Sequence, residues 1–173
     1  AALLDGLVEG DGAAQLLDHA GGEPRVLEGE QAPAAACEAQ HDGTPAKRLF
    51  GNIASFGMSG TTVELVNNGP KWVGGTAIFL VAALQASAVY KNLAVRVTVD
   101  GEVFYEGPMV TVAVANGKAF GGGMYVAPGA DPADGLFDIV VLGDMNRVES
   151  TMLSAYIYRG AHLTRPKVFH RRG

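Results

Sequence analysis

Apolar and polar positions change rhythm several times along this chain. Leu3, Leu4, Leu7 and Val8 fall at helical spacing and predict a helix over residues 1–20. Residues 21–36, rich in Gly, Pro, Glu and Ala, read as a linker. Strands are predicted over 35–40 and 47–55, joined by a hairpin turn at His41-Asp42-Gly43-Thr44-Pro45. Gly57, Gly60, Asn67, Asn68, Gly69 and Pro70 mark 56–70 as mainly loop. From Val73 to Tyr90 there is no charge, and Lys71 and Lys91 flank the run. Its length approaches that of a membrane span, but Gly74, Gly75, Thr76, Gln85, Ser87 and many alanines dilute it. A helix from Lys71 to about Tyr90, buried under a sheet, is the reading preferred.

The second half is dominated by strand patterns. Leu93, Val95, Val97 and Val99 alternate with Ala94, Arg96 and Thr98, the signature of a half-buried strand. Asp100-Gly101 is the strongest short hairpin signal in the chain, and Glu102 to Glu106 returns as the partner strand. Met109 to Ala115 and Leu136 to Leu142 are apolar on both faces, as central strands are. Asn146 with Glu149 forms a capping box for a helix with an apolar face of Val148, Met152, Leu153, Tyr156 and Ile157. Lys167 to Arg172 is one more candidate strand, with no partner visible in the sequence. Hairpin-linked strands with helices added predict a mainly β fold with α insertions, an antiparallel two-sheet β-sandwich.

Composition narrows the function classes. At 173 residues, with 48% hydrophobic and 18% charged positions, the chain can bury one sizeable core. A net charge of −5 argues against a nucleic-acid partner. The single cysteine, Cys37, cannot form an internal disulfide, so a reducing compartment is the simpler setting. Residues 1–20 lack the basic start of a signal peptide. A start at Ala1 and an end at Arg171-Arg172-Gly173 read as a fragment or a trimmed chain.

The chemistry concentrates in two places. Gly121-Gly122-Gly123 interrupts a β-rich run, where the backbone must turn sharply or approach something closely. Asp131-Pro132-Ala133-Asp134-Gly135-Leu136-Phe137-Asp138 is a tight acidic turn that offers carboxylates and bent carbonyls together, as a hard cation requires. Each piece alone also fits a plain Gly-rich loop and a solvated turn. No nucleophile–base–orienter set is visible. Ser55 and Ser59 lack a nearby histidine, and His19, His41, His162 and His170 are scattered, the last two expected at the surface or at strand ends. Phe79, Leu80, Leu84 and Tyr90 fit either an acyl pocket or an ordinary core.

In order and spacing, Asn52-Ile53-Ala54-Ser55-Phe56-Gly57, Lys71-Trp72-Val73-Gly74-Gly75, Asn116-Gly117, Gly121-Gly122-Gly123, Ala127-Pro128 and Asp134-Gly135-Leu136-Phe137-Asp138 form one pattern. It resembles the second domain of bacterial diacylglycerol-kinase-type lipid kinases, in a superfamily with sphingosine and NAD kinases. The resemblance runs from about Arg48 to Thr164. It implies that residues 37–173 are the β-sandwich second domain, incomplete at the C-terminus. Residues 1–36, which fit the pattern poorly, would be a remnant of the connection to a missing nucleotide-binding domain. It further implies a divalent metal, Mg2+ or Ca2+, held by the Asp134 carboxylate and the Asp131 and Leu136 carbonyls. The cleft would be lined by Asn52, Gly57, Asn116, Gly121, Gly122 and Gly123.

The implied activity of the intact protein is phosphoryl transfer from ATP to a lipid hydroxyl, such as that of diacylglycerol, at the cytoplasmic face of a membrane. A homodimer is compatible with the sequence. Two short strings do not carry catalysis. Asp42-Gly43-Thr44 resembles the end of the superfamily's phosphate loop but lacks the glycine pair before it, and Asp100-Gly101-Glu102 resembles the late catalytic motif but lies in a hairpin upstream of the glycines. No catalytic residue is assigned, and this chain alone is expected to be inactive. The alternatives are a non-catalytic lipid-binding module, or a related kinase acting on a sphingoid base or NAD.

Overall fold

A computed structural model describes residues 35–41, 44–68 and 75–173. The helix expected over 1–20, most of the linker, the Asp42-Gly43 turn and the first residues of the helix expected from Lys71 lie outside the described residues. Strand β1 (Ala35–His41) pairs antiparallel with β2 (Thr44–Phe50), from Ala35 opposite Phe50 to His41 opposite Thr44. A second antiparallel sheet has five strands: β3 (Ile53–Gly57), β4 (Leu93–Val99), β5 (Glu102–Ala115), β6 (Asp138–Gly143) and β7 (Val168–Arg172). Its order is β3-β5-β6-β7, with β4 also paired to β5. Three helices, α1 (Met58–Asn68), α2 (Gly75–Val89) and α3 (Arg147–Ile157), complete the described elements.

Residues 109–115 of β5 and strand β6 are almost continuously apolar because both their faces are buried. Ala113, Ala115, Val140 and Leu142 join one core with Ile53, Val126, Ala127, Met145, Leu153 and Ile157. The intervening Val112, Ile139 and Val141 point into another, shared with Met109 and with Val95, Val97 and Val99 of β4. The alternation read in β4 is therefore the burial of its valine face. Its hairpin to β5 closes on Asp100 and Gly101, with φ of 51° and 81°, the left-handed pair that a two-residue turn needs.

Several expectations are corrected. The strand expected over 47–55 is broken at Gly51-Asn52, where the chain leaves the two-stranded sheet and enters the five-stranded one. The strands expected at Glu102–Glu106 and Met109–Ala115 are one strand. Gly107, at φ +148°, and Pro108 lie inside it, and Pro108 is paired only with Ala94 of β4, so its missing N–H interrupts no second ladder. The loop expected at 56–70 contains helix α1. Its buried face is Ser59, Gly60 and Thr62, small residues that carry no apolar period, and the Thr62 hydroxyl donates to the Met58 carbonyl at 2.9 Å.

Helix α2 is not simply buried: Phe79, Ala82 and Ala86 face the interior while Leu80, Val81, Leu84 and Val89 are exposed. Among the described residues no helix is long and apolar enough to cross a membrane. Helix α3 has the expected capping box, Asn146 Oδ1 accepting from Glu149 N at 2.9 Å and Glu149 Oε2 accepting from Asn146 N at 2.8 Å. Its buried residues are Leu153 and Ile157, whereas Val148 and Met152 face outward. The partner that the sequence did not reveal for the last strand is β6, from Leu142 opposite Val168 to Asp138 opposite Arg172.

Candidate functional site

Asn52 and Asn116 meet across β3 and β5. The Asn52 carbonyl accepts from the backbone N–H of Asn116 at 2.8 Å and of Gly117 at 3.1 Å. The Asn52 side-chain amide donates to the Ala119 carbonyl at 3.1 Å, and that of Asn116 donates to the Gly51 carbonyl at 3.0 Å. Both amides are thus committed to holding the exit of β5 against the entry of β3. At the other end of β3, Gly57 turns at φ +96° into α1, where a Cβ would lie 2.5 Å from the Val110 carbonyl oxygen.

The exit leads to the triple glycine. Gly121, Gly122 and Gly123 all lie at positive φ, 53°, 78° and 99°, which L side chains rarely adopt. The turn is closed by hydrogen bonds from Gly123 N and Met124 N to the Phe120 carbonyl, and from Phe120 N to the Met124 carbonyl. Gly121 is buried, and a Cβ there would sit 2.4 Å from the Phe79 ring of α2. Gly122 and Gly123 are exposed. The expected close approach is therefore between this backbone and an aromatic ring of the chain itself.

Phe79 also lines a cavity of about 60 Å³ with Met58, Thr111, Met124, Leu153 and Ile157, enclosed between the three helices and the sheet. Of the residues considered for an acyl pocket, Phe79 reaches it, whereas Leu80 and Leu84 are exposed. A space of that size holds only a few water-sized groups.

A buried segment with Val126, Ala127 and Ala130 connects the glycines to the acidic turn. There the Asp131 carbonyl accepts from Asp134 N at 3.2 Å, and the Asp131 carboxylate from Ala133 N at 3.0 Å. Asp134 Oδ1 accepts from Leu136 N at 3.0 Å, and Gly135 turns at φ +76°. The structure thus gathers Asp131, Asp134 and Leu136 in one loop, with Asp134 capping its own turn. Asp134 Oδ2 accepts a hydrogen bond from Nη2 of Arg172 on β7. These bonds, first that of Leu136 N and then that of Arg172, hold the Asp134 carboxyl below the usual carboxylate range.

Behind this turn, Asp138 is 1% exposed. Its Oδ1 lies 2.5 Å from His170 Nε2, and its Oδ2 is 3.5 Å from Arg172 Nε with no hydrogen-bond partner. Arg172 and His170 were absent from the candidate residues, because only the β6–β7 register brings them to the acidic turn. Among the described residues no three His, Cys, Asp or Glu side chains converge to hold a metal. The expected set of one carboxylate and two carbonyls does not require such a group. The residue types fit a hard cation, provided that the Asp134 carboxylate is released by Arg172.

His162 corrects its expected surface position. It is fully buried, its Nε2 lies 2.9 Å from the Val126 carbonyl oxygen, and Nδ1 has no partner. Burial is the main cause that pushes its pKa down from 6.5, the nearby His170 adds to this, and the Val126 carbonyl opposes it. His19 lies outside the described residues.

Residues 52–173 match the family model of the YegS C-terminal NAD kinase beta sandwich-like domain. Diacylglycerol kinases of Mycobacterium tuberculosis, from strains CDC 1551 / Oshkosh and ATCC 25618 / H37Rv, are each 27% identical over 131 residues, 72% of this chain and 42% of theirs. The chain therefore spans less than half the length of these curated relatives. A crystal structure of a Bacillus anthracis str. Sterne protein, proposed to be a diacylglycerol kinase, is similar in fold with a TM-score of 0.52. It is 23% identical, and the match covers 81% of this chain and 43% of that one.

Proposed function

The chain belongs to the family of YegS C-terminal NAD kinase β-sandwich-like domains, and from that premise we propose that it is the substrate-binding lobe of an ATP-dependent lipid kinase. The reaction is phosphoryl transfer from ATP to the hydroxyl of a diacylglycerol-like lipid, giving a phosphatidic-acid-like product. The observation that carries this reading is the ordered run from the Asn52–Asn116 clamp through the triple glycine to the acidic turn, within the segment that matches the family. The names of the Mycobacterium tuberculosis relatives support the lipid over NAD.

In this reading the nucleotide loops and the carboxylate base belong to a further part of the intact protein. This lobe supplies position and shape. Asn52 and Asn116 fix the strand exit, Gly57 and Gly121 allow backbone and ring to close up, and the exposed Gly122 and Gly123 leave the turn open to substrate. An acyl chain would enter between the helices beside Phe79, where the 60 Å³ cavity must widen. Asp131, Asp134 and Leu136 would hold Mg2+ or Ca2+, which supplies positive charge and order to the turn. Exposed Leu80, Val81, Leu84 and Val89 on α2 suit a protein working peripherally at the inner face of a membrane. Homodimerisation is compatible with this arrangement.

The test is transfer of labelled phosphate from ATP by the full-length protein to a panel of diacylglycerol, sphingosine and NAD. Labelled phosphatidic acid is expected. Labelling of sphingosine or NAD alone would reassign the substrate, and lipid binding without transfer to any acceptor would leave a non-catalytic lipid-binding module. Purified residues 1–173 should turn over no ATP, and robust metal-dependent turnover by them would contradict the division of labour.

A further inference from the structure

We propose that Arg172 is a built-in competitor for the metal at the acidic turn, and that metal binding transfers its guanidinium from Asp134 to Asp138. The inference rests on the reading that Asp134 ligates a divalent cation. Arg172 occupies Oδ2 of Asp134. The same side chain reaches toward a second carboxylate, with Nε 3.5 Å from Asp138 Oδ2. That oxygen is buried and has no hydrogen-bond partner, while Oδ1 of the same carboxylate is taken by His170. A buried carboxylate oxygen without a donor is unfavourable, and a guanidinium turning toward it would supply one. Asp134, by contrast, is exposed and keeps the Leu136 N–H on Oδ1 when Arg172 leaves.

The two cations therefore have two carboxylates between them. As the side chains stand, Arg172 neutralises the exposed Asp134. With the metal present, Asp134 is neutralised from the solvent side, and Arg172 settles on the orphaned oxygen of Asp138. Because Arg172 stands opposite Asp138 in the β6–β7 register, a side-chain rotation suffices and no ladder hydrogen bond need break. The device links occupancy of the turn to the internal charge balance of β6 and β7.

The experiment is calorimetric titration of MgCl2 and of CaCl2, at low ionic strength, into the full-length protein and into Arg172→Gln, Arg171→Gln, Asp134→Asn and Asp138→Asn. Thermal melts with chelator establish that each variant is folded. Arg172→Gln should tighten metal binding about two- to fivefold, the scale of removing one exposed competing ion pair. Arg171→Gln removes the same charge from an arginine paired instead with Glu102 at 2.7 Å, and should change affinity far less. Asp138→Asn removes the receiving charge and should weaken binding, but not in the Arg172→Gln background.

Equal effects of Arg171→Gln and Arg172→Gln would reduce the proposal to general charge repulsion and overturn it. So would an unchanged or weakened affinity in Arg172→Gln. If wild type and Arg172→Gln both bind no metal, the metal reading itself falls and the competitor with it. Binding that Asp134→Asn abolishes but Arg172→Gln does not alter keeps the metal reading and refutes the competitor alone.

Discussion

The contact between Gly121 and Phe79 can be tested at one atom. Gly121→Ala puts a Cβ 2.4 Å from one ring carbon of Phe79 and 2.8 Å from two more. Carbon atoms do not remain that close, so the ring must move, and Phe79 is only 5% exposed. Two costs combine. An L residue in the left-handed region, here φ +53°, is disfavoured by about 1–2 kcal/mol. Displacing a packed side chain costs about 1–3 kcal/mol more. The total, about 2–5 kcal/mol, is a large part of the roughly 5–15 kcal/mol by which a domain is stable. Gly123→Ala is the control: at φ +99° nothing lies within 4 Å of its Cβ, leaving only the backbone cost of about 1–3 kcal/mol. Urea unfolding followed by circular dichroism measures both. The same measurement on Phe79→Leu and on the double variant isolates the clash, which should appear as a coupling of about 1–3 kcal/mol, the double variant being less damaged than the sum. Additivity within about 0.5 kcal/mol would refute the contact as the reason for a glycine at 121.

Other outcomes follow from separate parts of the molecule. Gly57→Ala should cost about 2–4 kcal/mol in the same assay, since its Cβ would meet the Val110 carbonyl, which is backbone and cannot rotate away; a loss below 1 kcal/mol would contradict this. Asn146→Ala should remove about 0.5–2 kcal/mol by opening the capping box of α3, and an unchanged urea midpoint would count against that cap. His162 gives a pH dependence whose sign is fixed by its depressed pKa. The unfolded chain takes up the proton first, so stability falls as pH drops below 6.5 and flattens once the folded protein also protonates. Wild type should therefore lose more stability than His162→Gln between pH 7.5 and pH 5.5, and equal losses would refute the assignment. Asp134→Asn should abolish a magnesium- or calcium-dependent rise in melting temperature; a shift equal to that of wild type would remove Asp134 from the ligand set.

The sequence disclosed those elements whose pattern is local. The β4 alternation, the Asp100-Gly101 hairpin, the apolar stretches at 109–115 in β5 and in β6, and the Asn146 cap each depend on neighbouring residues, and each is found where it was expected. What depended on distant partners was hidden. Helix α1 buries Ser59, Gly60 and Thr62, and small polar residues leave no apolar period to read. The outward Val148 and Met152 look identical in sequence to the inward Leu153 and Ile157. At the candidate site, the sharp backbone turn at the three glycines and the tight acidic turn were legible. The roles of Phe79, His170 and Arg172 were not, since each meets the site only through tertiary pairing. A basic residue two beyond a histidine in the final strand, with acids four apart in the turn, was the only available signal.

The register of β7 also governs how this sheet can assemble. Only β4 and β5 among its strands are joined by a tight turn; β3 waits for β5 across two helices, and β6 waits for β7 across α3. Contacts of such long sequence separation form slowly, because loop closure must precede any gain from pairing. While β7 is unpaired, β6 presents an unsatisfied edge of Ile139, Val140, Val141 and Leu142, the kind of apolar strand edge that invites pairing with another chain. A chain that loses Val168–Arg172, or emerges from synthesis without them, should therefore be prone to intermolecular β-association as well as lacking the Arg172 partner of the acidic turn.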